Sequence, residues 1–262
     1  MTPSPADRLL ARDRPIPERP VLFQRWTALL FLHWRFDPSR IQALLPPGLT
    51  VDLHHGAAYL GLVPFFMQDI RPRACPPVPG LSWFLEMNVR TYVHDARGVP
   101  GVWFFSLDAN QPLAVRIARR FFHLPYEDAA MAAPREEDGT IRYSVLRAGS
   151  SASTRLNYRI PPEGPFLPAA PDSLEFFLAE RYVLFAWNPH LRVLHAGRVR
   201  HEPYPLVAPE FSLESVAALA PAGFPELESR PPDHALASPG VKVQVFALQR
   251  VASSRKNRSI SA

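Results

Sequence analysis

Thirty-one of the 262 residues are proline. Proline fixes φ, lacks a backbone donor and is excluded from helix interiors and central strands. A chain punctuated this often is expected to fold from short elements joined at the prolines. Between them, residues 21–36, 50–53, 57–70, 81–94 and 99–109 are rich in β-branched and aromatic residues and predict strands. Asp37-Pro38 offers an N-cap followed by proline at the first helical position, which predicts a two-turn helix to Leu45. In 112–122 the period changes: Leu113, Ile117 and Phe121 recur every fourth residue beside Ala114, Ala118 and Phe122, while Arg116, Arg119 and Arg120 fall off the stripe. An amphipathic helix is expected there. Strands follow over 140–148, 152–160, 182–187, 191–201 and 241–248, with helices over 173–181 and 213–219. Many strands, few helices and no regular alternation of the two predict an α+β fold with a mainly antiparallel β-barrel or cone-like sheet and a few flanking helices.

An apolar fraction of 47% supports a full core in one domain over residues 20–251. Residues 1–19 read as a charged N-terminal extension without the apolar run of a secretory signal, and no apolar stretch approaches the length of a membrane helix. A cytoplasmic protein without membrane partners is expected. The net charge is +5, but Arg250, Arg255, Lys256 and Arg258 supply four of those charges after residue 249, where no acid follows. Residues 1–249 therefore carry only +1, which argues against a nucleic-acid surface. Residues 252–262 read as a basic, flexible tail. The single cysteine, Cys75, excludes an internal disulfide and a cysteine-based zinc site.

No glycine-rich phosphate loop is present, so no nucleotide cofactor is expected. Nine histidines occur without the spacing of a metal motif, and no metal is expected. No G-x-S-x-G nucleophile elbow is found. More informative is 85–93, where two-residue alternation puts Glu86, Asn88, Arg90 and Tyr92 on one strand face and Leu85, Met87, Val89 and Val93 on the other. That pattern describes either a solvent-facing row or a polar ladder lining the inside of a barrel, where Arg90 suits a carboxylate ligand. A one-residue slip would exchange the rows. Asp108 reads as a cap or turn residue ahead of the 112–122 helix.

Five segments carry a resemblance: E-M-N-V-R-T-Y-V at 86–93, G-V-W-F-F-S-L-D-A at 101–109, A-R-R-F-F-H-L-P-Y-E-D-A at 118–129, S-L-E-F-F-L-A-E-R-Y at 173–182 and H-E-P-Y-P-L at 201–206. Together they resemble the YqjF-like family of uncharacterised bacterial proteins, which is similar in turn to the acetoacetate decarboxylase superfamily. The resemblance implies a β-rich barrel or cone with an enclosed cavity. In the decarboxylase pattern G-R-E-x-x-G-F-P-K-K the first lysine forms a Schiff base. Ala118-Arg119 stand at G-R and Leu124-Pro125 at F-P, but Tyr126 and Glu127 replace the two lysines. Tyrosine cannot condense with a ketone, and a neighbouring glutamate raises rather than lowers an amine's pKa. Lysine-dependent decarboxylation is disfavoured, with Lys242 the remote alternative amine.

The resemblance leaves Arg119 as a carboxylate binder, Glu86 as the match to a cavity glutamate, and Tyr126 as hydrogen-bond donor or general acid. Asn88, Arg90 and Glu127 complete the expected ligand set, and Asp108, Glu180, Arg181 and His201 are further candidates. Each has a plainer structural role open to it: Tyr126 as a satisfied core tyrosine, Glu180 and Arg181 as a helix-end salt bridge. Three functions follow: binding of a small organic acid in an enclosed cavity without a cofactor, a lysine-independent lyase, hydratase or isomerase, or a structural protein with a filled cavity.

Overall fold

The computed structural model describes residues 2–252; of the tail expected over 252–262, all but Ala252 lies outside them. The elements in order are α1 (Pro5–Asp13), β1 (Leu22–Phe36), α2 (Pro38–Ala43), β2 (Leu49–Val51), β3 (Ala58–Pro72), β4 (Phe84–Asp95), β5 (Pro100–Ala109) and α3 (Pro112–Ile117). A π-helical turn, Ala118–Phe122, continues α3. Then come β6 (Tyr126–Ala132), β7 (Ile141–Arg147), β8 (Thr154–Arg159), α4 (Leu174–Ala179), β9 (Val183–Asn188), β10 (Val193–Arg200), β11 (Glu210–Val216), a 3-10 turn (Pro225–Ser229), β12 (His234–Val245) and β13 (Gln249–Arg250).

Pairing closes on itself in the order β5-β9-β10-β12-β1-β3-β4 and back to β5. The result is a cone-like ring, antiparallel except where β5 runs parallel to β6 and β9. From β5 a second set of strands, β6-β7-β8-β11, branches away as a wing. The wing packs on the outer face of the ring: Tyr143, Val145, Leu156 and Tyr158 share one core with Leu30, Leu32, Leu85, Met87 and Val89. The ring encloses a second core that includes Phe31, Val63, Phe65, Phe84 and Val243. Every residue of β4 is consequently buried, its apolar row against the wing and its polar row inside the ring. The solvent-facing alternative for Glu86, Asn88, Arg90 and Tyr92 is overturned because the wing covers the face that would otherwise be wet.

Sequence pattern and structure part in three further places. The elements are not uniformly short, since β1 and β3 each run 15 residues. Pro64 sits inside β3, opposite Met87 in the β3–β4 ladder and within the irregular stretch of the β1–β3 ladder between the Thr27–Phe66 and Leu32–Leu62 pairs, the kind of irregularity at which proline is tolerated in a sheet. Residues 210–216 form β11 rather than the expected 213–219 helix. A bulge between Leu213 and Ser215 brings Leu213 and Val216 to the same face, and that three-residue spacing mimics a helix. In α3 and the π turn only Val115 is buried, while Leu113, Ile117 and Phe121 are exposed. The helix ends after two turns and widens, so its apolar stripe borders a cavity instead of filling a core.

The first residues are tied to the ring. Ser4 and Asp7 form a reciprocal capping box for α1, and Arg8 is buried, donating to Asp52 at 2.7 Å. Among the described residues no helix is long and apolar enough to cross a membrane.

Candidate functional site

A cavity of about 490 Å³ opens between the ring and α3. Trp26, Met67, Phe84, Phe104 and Leu107 wall it from the strands; Ala114, Ile117, Ala118 and Phe122 wall it from α3 and the π turn. Gln24, Arg71, Ser82, Glu86, Gln111 and Tyr126 are its polar lining. An apolar pocket with a few converging polar groups is the usual form of a small-molecule site.

Two polar groups meet at its wall. Glu86 comes from the interior row of β4 and is 3% exposed; Tyr126 begins β6, which enters the sheet parallel to β5 with Tyr126 opposite Leu107. The Tyr126 hydroxyl donates to the Glu86 carboxylate at 2.8 Å. Burial pushes the Glu86 carboxyl up to about 7, against the opposing Tyr126 hydrogen bond and with the Asp108 charge adding to the rise. Burial and the facing Glu86 charge raise the Tyr126 phenol well above its ordinary value. Near neutral pH Glu86 can therefore take up or release a proton, whereas Tyr126 acts only as a hydrogen-bond donor.

The other residues singled out from sequence divide into three groups. Asn88 and Arg90 share the interior row with Glu86 but do not border this cavity. Arg90 donates to the Leu178 carbonyl at 3.0 Å and lies over the Phe31 ring at 5.4 Å. Its Nε and the Asn88 Oδ1 are buried without a hydrogen-bond partner. Arg119 and Glu127 lie at the surface and pair with each other at 3.0 Å. Arg119 also donates to the Tyr126 carbonyl at 2.6 Å and pairs with Asp128 at 3.3 Å, which clamps the turn carrying Tyr126.

The third group is structural. Asp108 is not a cap, a role taken by Gln111; it is 1% exposed and receives Arg147 in a two-point pair at 2.7 and 3.1 Å, joining β5 to the wing. Glu180 and Arg181 do not bridge each other. Glu180 accepts the Tyr204 amide at 2.9 Å and the Tyr182 hydroxyl, while Arg181 pairs with Asp52 at 2.8 Å beside Arg8. The reason is direction: the chain turns at the end of α4, and successive side chains go opposite ways. His201 lies just beyond β10, stacked on Tyr182 with ring centroids 4.6 Å apart. Its Nδ1 donates to the Glu202 carbonyl at 2.8 Å, and burial holds its pKa down to about 4.

Arg71 was not singled out from sequence. The β1–β3 register slips by one residue between Phe23–Arg71 and Arg25–Gln68, and Asp69 takes a φ of 53° there. Such a bulge re-aims the side chains that follow it, and no one-dimensional pattern marks where Arg71 then points. Among the described residues no group of three or more histidine, cysteine, aspartate or glutamate side chains is placed to hold a metal ion.

Comparison with known proteins agrees with the resemblance noted from the sequence. The family model DUF2071, described as an uncharacterized conserved protein, matches residues 23–242. The uncharacterized protein YqjF of Bacillus subtilis (strain 168) is 39% identical over 184 residues, which cover 70% of this chain and 74% of that protein. Among solved structures, acetoacetate decarboxylase from Legionella pneumophila superposes with a TM-score of 0.61 at 13% identity, covering 92% of this chain and 93% of that one. The enduracididine biosynthesis enzyme MppR, complexed with pyruvate, superposes with a TM-score of 0.58 at 13% identity and the same coverages. At such identities the structural likeness is one of fold.

Proposed function

The chain belongs to the DUF2071 family, and from that premise we propose that it binds a small organic acid in its 490 Å³ cavity without a covalent link to the protein. One observation carries this reading: a buried glutamate, Glu86, with its pKa raised to about 7 and a tyrosine donor at 2.8 Å, sits in the wall of an otherwise apolar cavity. A protonated Glu86 offers its O–H to a ligand carboxylate, and Tyr126 can then turn its hydroxyl to the same oxygen pair. Arg71, in the same lining, supplies the countercharge. The apolar walls select acids with an apolar body. The pyruvate held by MppR, itself a small keto acid, agrees with this ligand class.

Imine chemistry is set aside on the residues present. The chain has two lysines: Lys242 is not among the residues lining this cavity, and Lys256 lies outside the described residues. Tyr126 has no amine to offer a ketone. The test is a thermal-shift and calorimetric screen of keto, hydroxy and aromatic acids against the wild type, Glu86→Gln and Tyr126→Phe. A true ligand at 100 times its Kd stabilises the native state by about 2.7 kcal/mol, and both variants are expected to weaken it. An acid that binds all three proteins equally would overturn the reading.

The same Glu86 pKa supports a second reading, lysine-independent acid–base catalysis on such an acid, with Glu86 moving the proton and Tyr126 positioning it. Turnover of a bound acid that is lost in Glu86→Gln separates it from binding alone.

A further inference from the structure

Beyond the acid cavity, a second cleft of about 710 Å³ opens over β1, β3, β10 and β12. Four cations from those four strands line it, Arg25, Arg71, Arg200 and Lys242, against two carboxylates, Asp69 and Glu202. Among the described residues none of the four has a carboxylate oxygen within 4 Å. Arg25 and Lys242 are direct cross-strand partners in the β1–β12 ladder, an arrangement of like charges that destabilises a sheet.

The arginines of the wing strands β7 and β8 are treated differently. Arg159 faces Glu210 across the β8–β11 ladder and binds it at 2.6 Å; Arg155 has Glu214, Arg147 has Asp108 and Arg142 has Glu136. The cleft is thus a local concentration of unmatched positive charge on a body that is close to neutral. Arg71 is half-buried there and held over the Phe23 ring at 4.8 Å. His201, 6% exposed, also lines the cleft. Its ring is enclosed by Trp26, Tyr182 and Tyr204, so it forms a wall of the cleft rather than a ligand contact.

We propose that this cleft is a binding site for a phosphorylated small molecule. Lys242, Arg25 and Arg200 hold the phosphoryl group and relieve the Arg25–Lys242 repulsion. Guanidinium forks match phosphate oxygens in geometry as well as charge.

The experiment is calorimetric titration with ribose 5-phosphate, and with citrate as a polycarboxylate of comparable charge, on the full chain at low and physiological salt. Ribose 5-phosphate is expected to bind the wild type, more weakly as salt rises. Lys242→Gln and Arg200→Gln, both at exposed positions, should each weaken it about tenfold. Without ligand, Lys242→Gln should raise the Tm, and saturating ribose 5-phosphate should abolish that difference. Absence of binding at millimolar concentration, or equal binding by wild type and the Arg25→Gln/Lys242→Gln double variant, would overturn the site. Citrate binding as tightly as ribose 5-phosphate would overturn the phosphoryl assignment.

Discussion

The Tyr126 hydroxyl lies 2.8 Å from the Glu86 carboxylate, and this bond ties the first residue of β6 to the interior row of β4 at the cavity wall. Glu86 is held protonated up to about 7 in the folded protein, against an ordinary value of 4.5. Between those values the native state binds more protons than the unfolded chain, so stability falls as pH rises from 4.5 to 7 and levels off above. The full penalty is no more than about 3 kcal/mol. Glu86→Gln should lose this slope and be more stable than wild type above neutral pH, as measured by urea denaturation across the window. Tyr126→Phe removes a bond that favours the carboxylate, so the Glu86 midpoint should move further up in a carboxyl-carbon NMR titration.

His201 gives the opposite slope. Burial lowers its pKa from 6.5 to about 4, with the Glu202 carbonyl bond opposing. As pH falls through 6.5 the unfolded chain takes up a proton that the native imidazole refuses, so stability drops progressively down to about pH 4, by up to about 3 kcal/mol. His201→Gln should reduce that acid sensitivity. It should not abolish it, because His33 is also held well below its ordinary value by burial and by the Arg90 charge. A variant whose acid limb matched the wild type would show that His201 is not the titrating group.

Asp52 is fully buried between two guanidiniums, Arg8 of α1 at 2.7 Å and Arg181 after α4 at 2.8 Å. Both cations also lie over the Phe177 ring, at 5.0 and 4.3 Å. Asp52→Asn leaves two buried cations without a counter-ion and should destabilise by about 3–5 kcal/mol. Arg8→Ala leaves the Asp52–Arg181 pair intact and should cost less. Guanidinium denaturation of both variants checks the order, and an equal loss in each would mean that α1 docking, not the charge, sets the stability.

The β4 alternation was fully legible, yet which row faced inward depended on the wing, a set of strands from residues 126–216 that no local pattern attaches to β4. Asp37-Pro38 announced α2 because a cap is a short-range device, and the Asp37 side chain does accept the Ser39 amide at the helix start. Leu213 and Val216 misled for the converse reason: a bulge gave strand residues a helical spacing. At the site, the Glu86 and Tyr126 positions followed from the resemblance, and the structure adds their contact. Arg119 reads in sequence as a carboxylate binder at the G-R of the motif, and in the structure it pairs with Glu127 and Asp128 from the same stretch of chain. Arg71 depends on a register slip, which exists only once two strands are paired.

Ala114 and Ala118 line the cavity from α3 and the π turn, and both are half-buried. Replacing either by phenylalanine projects a ring into open, largely apolar space rather than into packed core. Added burial offsets the lower helix propensity and the risk of overpacking, so Ala114→Phe and Ala118→Phe should stay within about 1 kcal/mol of wild type without ligand. An acid bound at Glu86 needs the volume the ring takes. Its thermal shift, about 2.7 kcal/mol of stabilisation at 100 times Kd, should therefore disappear in both variants while their folds persist by circular dichroism. A shift retained in full would place the acid outside this cavity. Loss of folding in one variant leaves the other to decide, since the two alanines belong to different segments and touch the space from different positions.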